Sequence, residues 1–200
     1  MSNGHRIHFD SHSHDLAQPT LALLERVMAQ RFPPSEVPLG WRFSLTLPSR
    51  WKRSQADAQW ASEMGVRVRL VKGEFRASSS SGETDPREGF LLLVDRLAGH
   101  VPEIAVATHD YPLAREAIAR CMRSGTHIEL ELLFGIPASN MIKLSREMAI
   151  PLRFYVPYGD TLLVYGIRHF ITYPHKLFRP DSLQVISSSS SKLARILESL

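Results

Sequence analysis

Four side chains able to bind metal or move protons alternate near the start of the chain: His8, Asp10, His12 and His14. On a strand this spacing puts all four on one side, and imidazoles with a carboxylate suit a divalent ion. The same residues also read as a polar strand end whose histidines face solvent. A metal site needs further ligands, and His109-Asp110 is the one convincing supply. A second group is Arg69-Leu70-Val71-Lys72-Gly73. Two cations flanking a strand end suit an anion such as a phosphate or carboxylate. The plainer reading is a strand with its cations at the rim.

Elements of two kinds must position these residues. Short runs rich in β-branched residues, at 6–10, 42–47, 66–72, 104–108, 127–133 and 152–156, read as strands. Each is followed by a helical pattern, at 20–30, 54–64, from 85–86 onward, 112–125, 139–148 and 160–171. Leu21, Leu24, Val27 and Met28 share one face of the first helix. Ser54 is placed as the cap of the second, with Gly65 ending it. Asp85 and Pro86 start the third, and Gly125 closes the fourth. Strands alternating with helices at this spacing mean a parallel sheet with helices outside.

No GxGxxG follows the first strand and no GxxxxGK[ST] occurs, which argues against a nucleotide-binding open sheet. Asp10, Lys72, His109 and Tyr155 each fall where a strand ends, the end at which barrels build their sites. The expected fold is therefore α/β, a partial (β/α)8 barrel with about six parallel strands. Residues 1–186 form this one domain, and 187–200 a serine-rich linker with a short terminal helix. The His12-Ser13-His14 step at a strand end is similar to the opening of metal-dependent amidohydrolases on barrels, which would make both histidines ligands.

Composition narrows the function classes. Apolar residues make up 44% of the chain and charged residues 22%, enough for a sizeable core. No apolar run approaches the ~20 residues of a membrane span, and the N-terminus lacks a secretory hydrophobic stretch. The single cysteine, Cys121, excludes an internal disulfide and fits a reducing cytosol, so a cytoplasmic location is expected. Lys and Arg exceed Asp and Glu by 24 to 20 without clustering, which argues against nucleic acid as a partner. Cys121 shares a helix face with Ala114, Ala117 and Ile118 and reads as core. Trp41, Trp51 and Trp60 read as packing residues.

Five segments in order carry a more specific message: RLVKG at 69–73, ATH at 107–109, ELELLFG at 129–135, RFYVPYG at 153–159, and Tyr165-x-x-Arg168. Their order and spacing resemble the proline dehydrogenases, as does the opening IHFDSHS. That resemblance implies a flavoenzyme on a (β/α)8 barrel, moving a hydride from proline or a related imino acid to N5 of FAD. It implies that Arg69, Val71, Lys72, Thr108 and His109 face the FAD. Leu70, Tyr155 and Tyr165 would shape the substrate pocket, Arg168 would hold the substrate carboxylate, and Asp10 would organise the polar network. It further implies a quinone-type electron acceptor and peripheral membrane contact.

The chain departs from that family at named places. His169 stands where the family has a second arginine, Glu131 where it has a glutamine, and Phe75 where it has a tyrosine. Glu131 would bring negative charge to an electron-rich ring. The six strands match the family from its third barrel strand onward, which fits a fragment, a chain whose barrel a partner chain or oligomer completes, or a shortened descendant. With His169 and Glu131 it also fits a degenerate barrel that has lost its chemistry.

Overall fold

The computed structural model describes residues 6–11, 13–30 and 38–156. Six strands, β1 (Ile7–Phe9), β2 (Phe43–Pro48), β3 (Arg67–Val71), β4 (Glu103–Ala107), β5 (His127–Leu133) and β6 (Leu152–Tyr155), lie side by side in chain order. Every pairing is parallel. The sheet curls into a half-barrel with helices outside, the partial barrel expected from the pattern.

The helices are α1 (Ala17–Met28), α2 (Leu39–Arg42), α3 (Ser54–Met64), α4 (Pro86–Leu97), α5 (Tyr111–Ser124) and α6 (Ser139–Glu147). Alternation along each strand decides which side chains meet them. Leu45, Leu47, Val68, Leu70, Ile104, Val106, Ile128 and Leu130 are buried in one core with Leu93, Val94, Leu97, Ala117 and Ile118. Cys121 joins that core, and burial pushes its thiol up to about 12, which leaves it inert.

The helix ends follow local chemistry. The Asp85 carboxylate accepts from the backbone N–H groups of Arg87 and Glu88, capping α4 with Pro86 as its first residue. Gly65 and Gly125 end α3 and α5 with φ of 61° and 72°, a conformation open to a residue without Cβ. Ser54 corrects the expected cap. It is the first helical residue, and its hydroxyl donates to the Pro48 carbonyl at 2.7 Å. That bond ties α3 to the end of β2. The turn α2 was not expected, because the Pro-rich stretch before β2 hid a four-residue helix. The linker and terminal helix expected over 187–200, and the helix over 160–171, lie outside the described residues.

The concave face is unusual for a barrel, whose interior is ordinarily packed with branched apolar residues. Here it carries Arg67, Arg69, Glu129, Glu131 and Arg153, with only Ala105 and Ala107 from the inner side of β4 beyond Glu103. Arg67 pairs with Glu103 and lies 3.7 Å from Glu129. Arg153 holds Glu129 through two bonds of 2.9 and 2.8 Å. Paired charges thus replace apolar packing.

Candidate functional site

At the C-terminal ends of the strands a cleft of about 220 Å³ opens. Asp10 follows β1, Thr46 and Pro48 come from β2, and Arg69 and Val71 from β3. Ala107, Thr108 and His109 end β4, Glu131 and Leu133 come from β5, and Tyr155 ends β6. Trp51, Glu74 and Phe75 complete the rim. Five separate sequence segments therefore meet in one place.

Arg69 is the centre of the arrangement. Its Nε donates to Glu131 Oε2 at 3.1 Å, and NH2 lies 2.7 Å from Glu131 Oε1. NH1 stands 3.7 Å from Asp10, and the guanidinium lies 5.3 Å from the centre of the Tyr155 ring. Burial pushes the Glu131 carboxyl above the usual carboxylate range, while Arg69 pulls it back down. The described residues lining the cleft carry three carboxylates, Asp10, Glu74 and Glu131, and Arg69 is close to the first and the last.

Backbone groups of the strands and loops around the cleft hold the neighbouring side chains in place. His109 Nε2 accepts from the Leu133 backbone N–H at 3.0 Å, so a neutral ring carries its proton on Nδ1. Thr108 Oγ1 accepts from the Asp110 N–H. Trp51 is buried and its Nε1 donates to the Phe75 carbonyl at 2.9 Å, which orders the loop after β3. Gly73 in that loop has φ +88°, and a Cβ there would lie 2.8 Å from the Pro48 Cβ. Only glycine permits this approach.

Two expected site residues are placed elsewhere. Leu70, expected in the substrate wall, is fully buried against the helices. Alternation along β3 sends Arg69 and Val71 inward and Leu70 outward. Lys72 does not line the cleft; its Nζ lies 3.4 Å from Asp110, which Arg87 also approaches at 2.5 Å. Asp110 at the same time caps α5 by accepting from the Leu113 N–H. Tyr165 and Arg168 lie outside the described residues.

The histidine cluster does not gather as a metal site. Both ring nitrogens of His8 are engaged, Nδ1 with the Ser44 hydroxyl at 2.7 Å and Nε2 with Thr46 at 2.8 Å. Burial, with Arg69 beside it, lowers the His8 pKa to about 4. His14 packs edge-on against Trp51 and bonds Ser78, away from His8. Among the described residues no three metal-binding side chains come together; His12 lies outside them.

A half-barrel with a polar cleft at the strand C-termini defines a (β/α)-barrel protein with a site of the kind barrel enzymes use. Among solved structures, this chain is similar to Proline Utilization A from Bradyrhizobium japonicum, with a TM-score of 0.63 at 20% identity, covering 83% of this chain and 19% of that one. The Corynebacterium freiburgense Proline Utilization A matches at 0.61 and 16% identity, over 90% of this chain and 22% of its own. The likeness is one of fold. This chain spans about a fifth of those proteins' length. No family model and no curated protein matches the sequence.

Val71, Ala107 and Leu133 supply an apolar strip, and Arg69 and Tyr155 stand beside it. The volume is below the ~300–1,000 Å³ of pockets that enclose a whole drug-sized ligand, so the cleft encloses only part of a larger one. No helix among the described residues is long and apolar enough to cross a membrane.

Proposed function

We propose that this chain is a proline dehydrogenase-like oxidoreductase, moving a hydride from proline or a related imino acid to N5 of FAD. The observation that carries the reading is the convergence of Arg69, Val71, Thr108, His109 and Tyr155 on one cleft at the strand ends. The fold-level likeness to proteins named for proline utilization supports it. A flavin supplies the hydride acceptor. The chain's own residues bind and orient. Val71, Ala107 and Leu133 exclude water from one face, Tyr155 shapes the substrate side, and Asp10 steadies Arg69. By residue type Arg168 would offer two parallel donors to the substrate carboxylate, with Tyr165 three positions before it in sequence.

The proposal includes a cytoplasmic protein that meets the membrane surface to reach a quinone-type acceptor. It also includes a partner chain or second copy that closes the barrel. Among the described residues β1 pairs only with β2, and β6 only with β5, so both outer edges have backbone groups to offer.

One observation favours a second reading, a barrel that keeps the fold without the chemistry. Glu131 holds the Nε–NH2 donor pair of Arg69. The two readings separate in one experiment: FAD is added to the purified full chain, and proline is then added without oxygen. Bleaching of the flavin absorbance supports the oxidoreductase. A flavin that binds and stays oxidised, or does not bind, supports the silent barrel.

A further inference from the structure

We propose that Glu131 is the specificity-determining residue of the cleft: it holds the Nε–NH2 donor pair of Arg69 and sets a carboxylate in the wall, so anionic ligands compete with it and neutral ones do not. The proposal rests on the oxidoreductase reading only for the identity of the natural ligand.

Glu131 takes one of the two bidentate edges of Arg69, and Asp10 stands beside the other. Nε and NH2 are directed at the two oxygens of Glu131, NH1 faces Asp10, and Tyr155 covers one flat side. Guanidinium recognises a carboxylate best through two parallel donors; Glu131 occupies the Nε–NH2 pair, and Asp10 lies 3.7 Å from NH1 at the other. Arg69 with Glu131 and Asp10 sums to one negative charge in a largely buried setting, with Glu74 adding another at the rim. An arriving carboxylate, or the electron-rich edge of a reduced ring, meets net repulsion before any attraction.

Glu131 is well built for this competition. Its carboxylate is nearly inaccessible, and the small side chains of Ala105 and Ala107 on the intervening strand let Arg69 reach it. Glu129 and Arg153 lie close by on β5 and β6 but bind each other, so neither relieves Arg69 of its partner. A glutamine at 131 would keep an oxygen for Arg69 while giving up the charge, so the fold should survive the change.

The test uses benzoate and its neutral isostere benzamide as probes. Both are titrated into the full-length parent, Glu131→Gln, and the double variant Arg69→Met/Glu131→Gln, with circular dichroism confirming that each is folded. Glu131→Gln should bind benzoate on the order of 10-fold tighter or more than the parent, the scale of one charge-assisted hydrogen bond, with benzamide little changed. The double variant should lose that gain. Equal benzoate affinity in parent and Glu131→Gln, no benzoate binding by Glu131→Gln, or a gain that survives the loss of Arg69 would each overturn the proposal. FAD is titrated into the same three proteins. A benzoate gain without FAD binding leaves the role of Glu131 standing and removes the flavin reading.

Discussion

Arg69 and Glu131 stand on β3 and β5, with β4 between them, yet their side chains meet at 2.7 Å. The intervening strand permits this because its inward residues there are Ala105 and Ala107. Arg69 is paired in register with Ala105 and reaches over it. A larger side chain at 105 would block that path. Ala105→Leu should therefore destabilise the chain by about 1–3 kcal/mol, the usual cost of overpacking, measured by urea unfolding.

The pair formed by Glu129 and Arg153 is asymmetric in burial. The Glu129 side chain is 8% exposed and that of Arg153 is 50% exposed. Removing the buried partner takes a shared carboxylate from both Arg67 and Arg153. Glu129→Ala should cost about 3 kcal/mol, and Arg153→Ala about 1 kcal/mol. The order of the two in chemical denaturation is the check, and the reverse order would contradict the account of the inner face.

His8 gives the fold a pH dependence of known sign. Its folded pKa is lowered to about 4 from 6.5 by burial and by Arg69. The unfolded chain therefore takes up the proton first as the medium acidifies. The stabilisation is fully present above 6.5 and is lost as pH falls toward 4. The loss is of order 2–3 kcal/mol across that window. His8→Gln, which can still bond Ser44 and Thr46, should lose less stability than the parent between about pH 7 and about pH 4.5. Parallel curves for the two proteins would argue against the buried neutral imidazole.

The fold was legible because the strands alternate and the helices carry their own punctuation. Phe43-Ser44-Leu45-Thr46-Leu47 separates its two faces residue by residue, and Asp85-Pro86 marks a helix start in any context. The site was legible in part. Asp10, His109 and Tyr155 stand out through their places at strand ends, Arg69 as a cation beside one, and Val71 and Thr108 only through the family resemblance; all six line the cleft. The same alternation rule, applied to RLVKG, would have sent Leu70 outward from the beginning. The Arg69–Glu131 contact was harder to see. It depends on which strands neighbour each other and on how far an arginine reaches over two alanines, neither of which is local in sequence. The matching signal was there as charges of opposite sign at alternate positions of β3 and β5. The Ser54 reading failed because a hydroxyl at a helix start can serve a neighbouring strand as well as its own helix.

Arg168 carries the substrate end of the proposal. If the chain or its completed assembly oxidises proline, Arg168→Ala should lower kcat/KM ~10–100-fold, mostly through KM, as loss of a charge-assisted pair does. His169→Arg restores the family's second arginine and should improve proline turnover. An Arg168→Ala protein with unchanged KM would remove Arg168 from carboxylate binding.

The central claim is that a flavin sits in the cleft against Val71. Titration of FAD into the full-length parent and into Val71→Phe, followed by flavin fluorescence, tests it most directly. Val71 lines the cleft, and a phenylalanine there would occupy the space of the ring. The account predicts saturable FAD binding by the parent and its loss in a folded Val71→Phe protein. A parent that does not bind FAD, or a variant that binds it equally well, would contradict it.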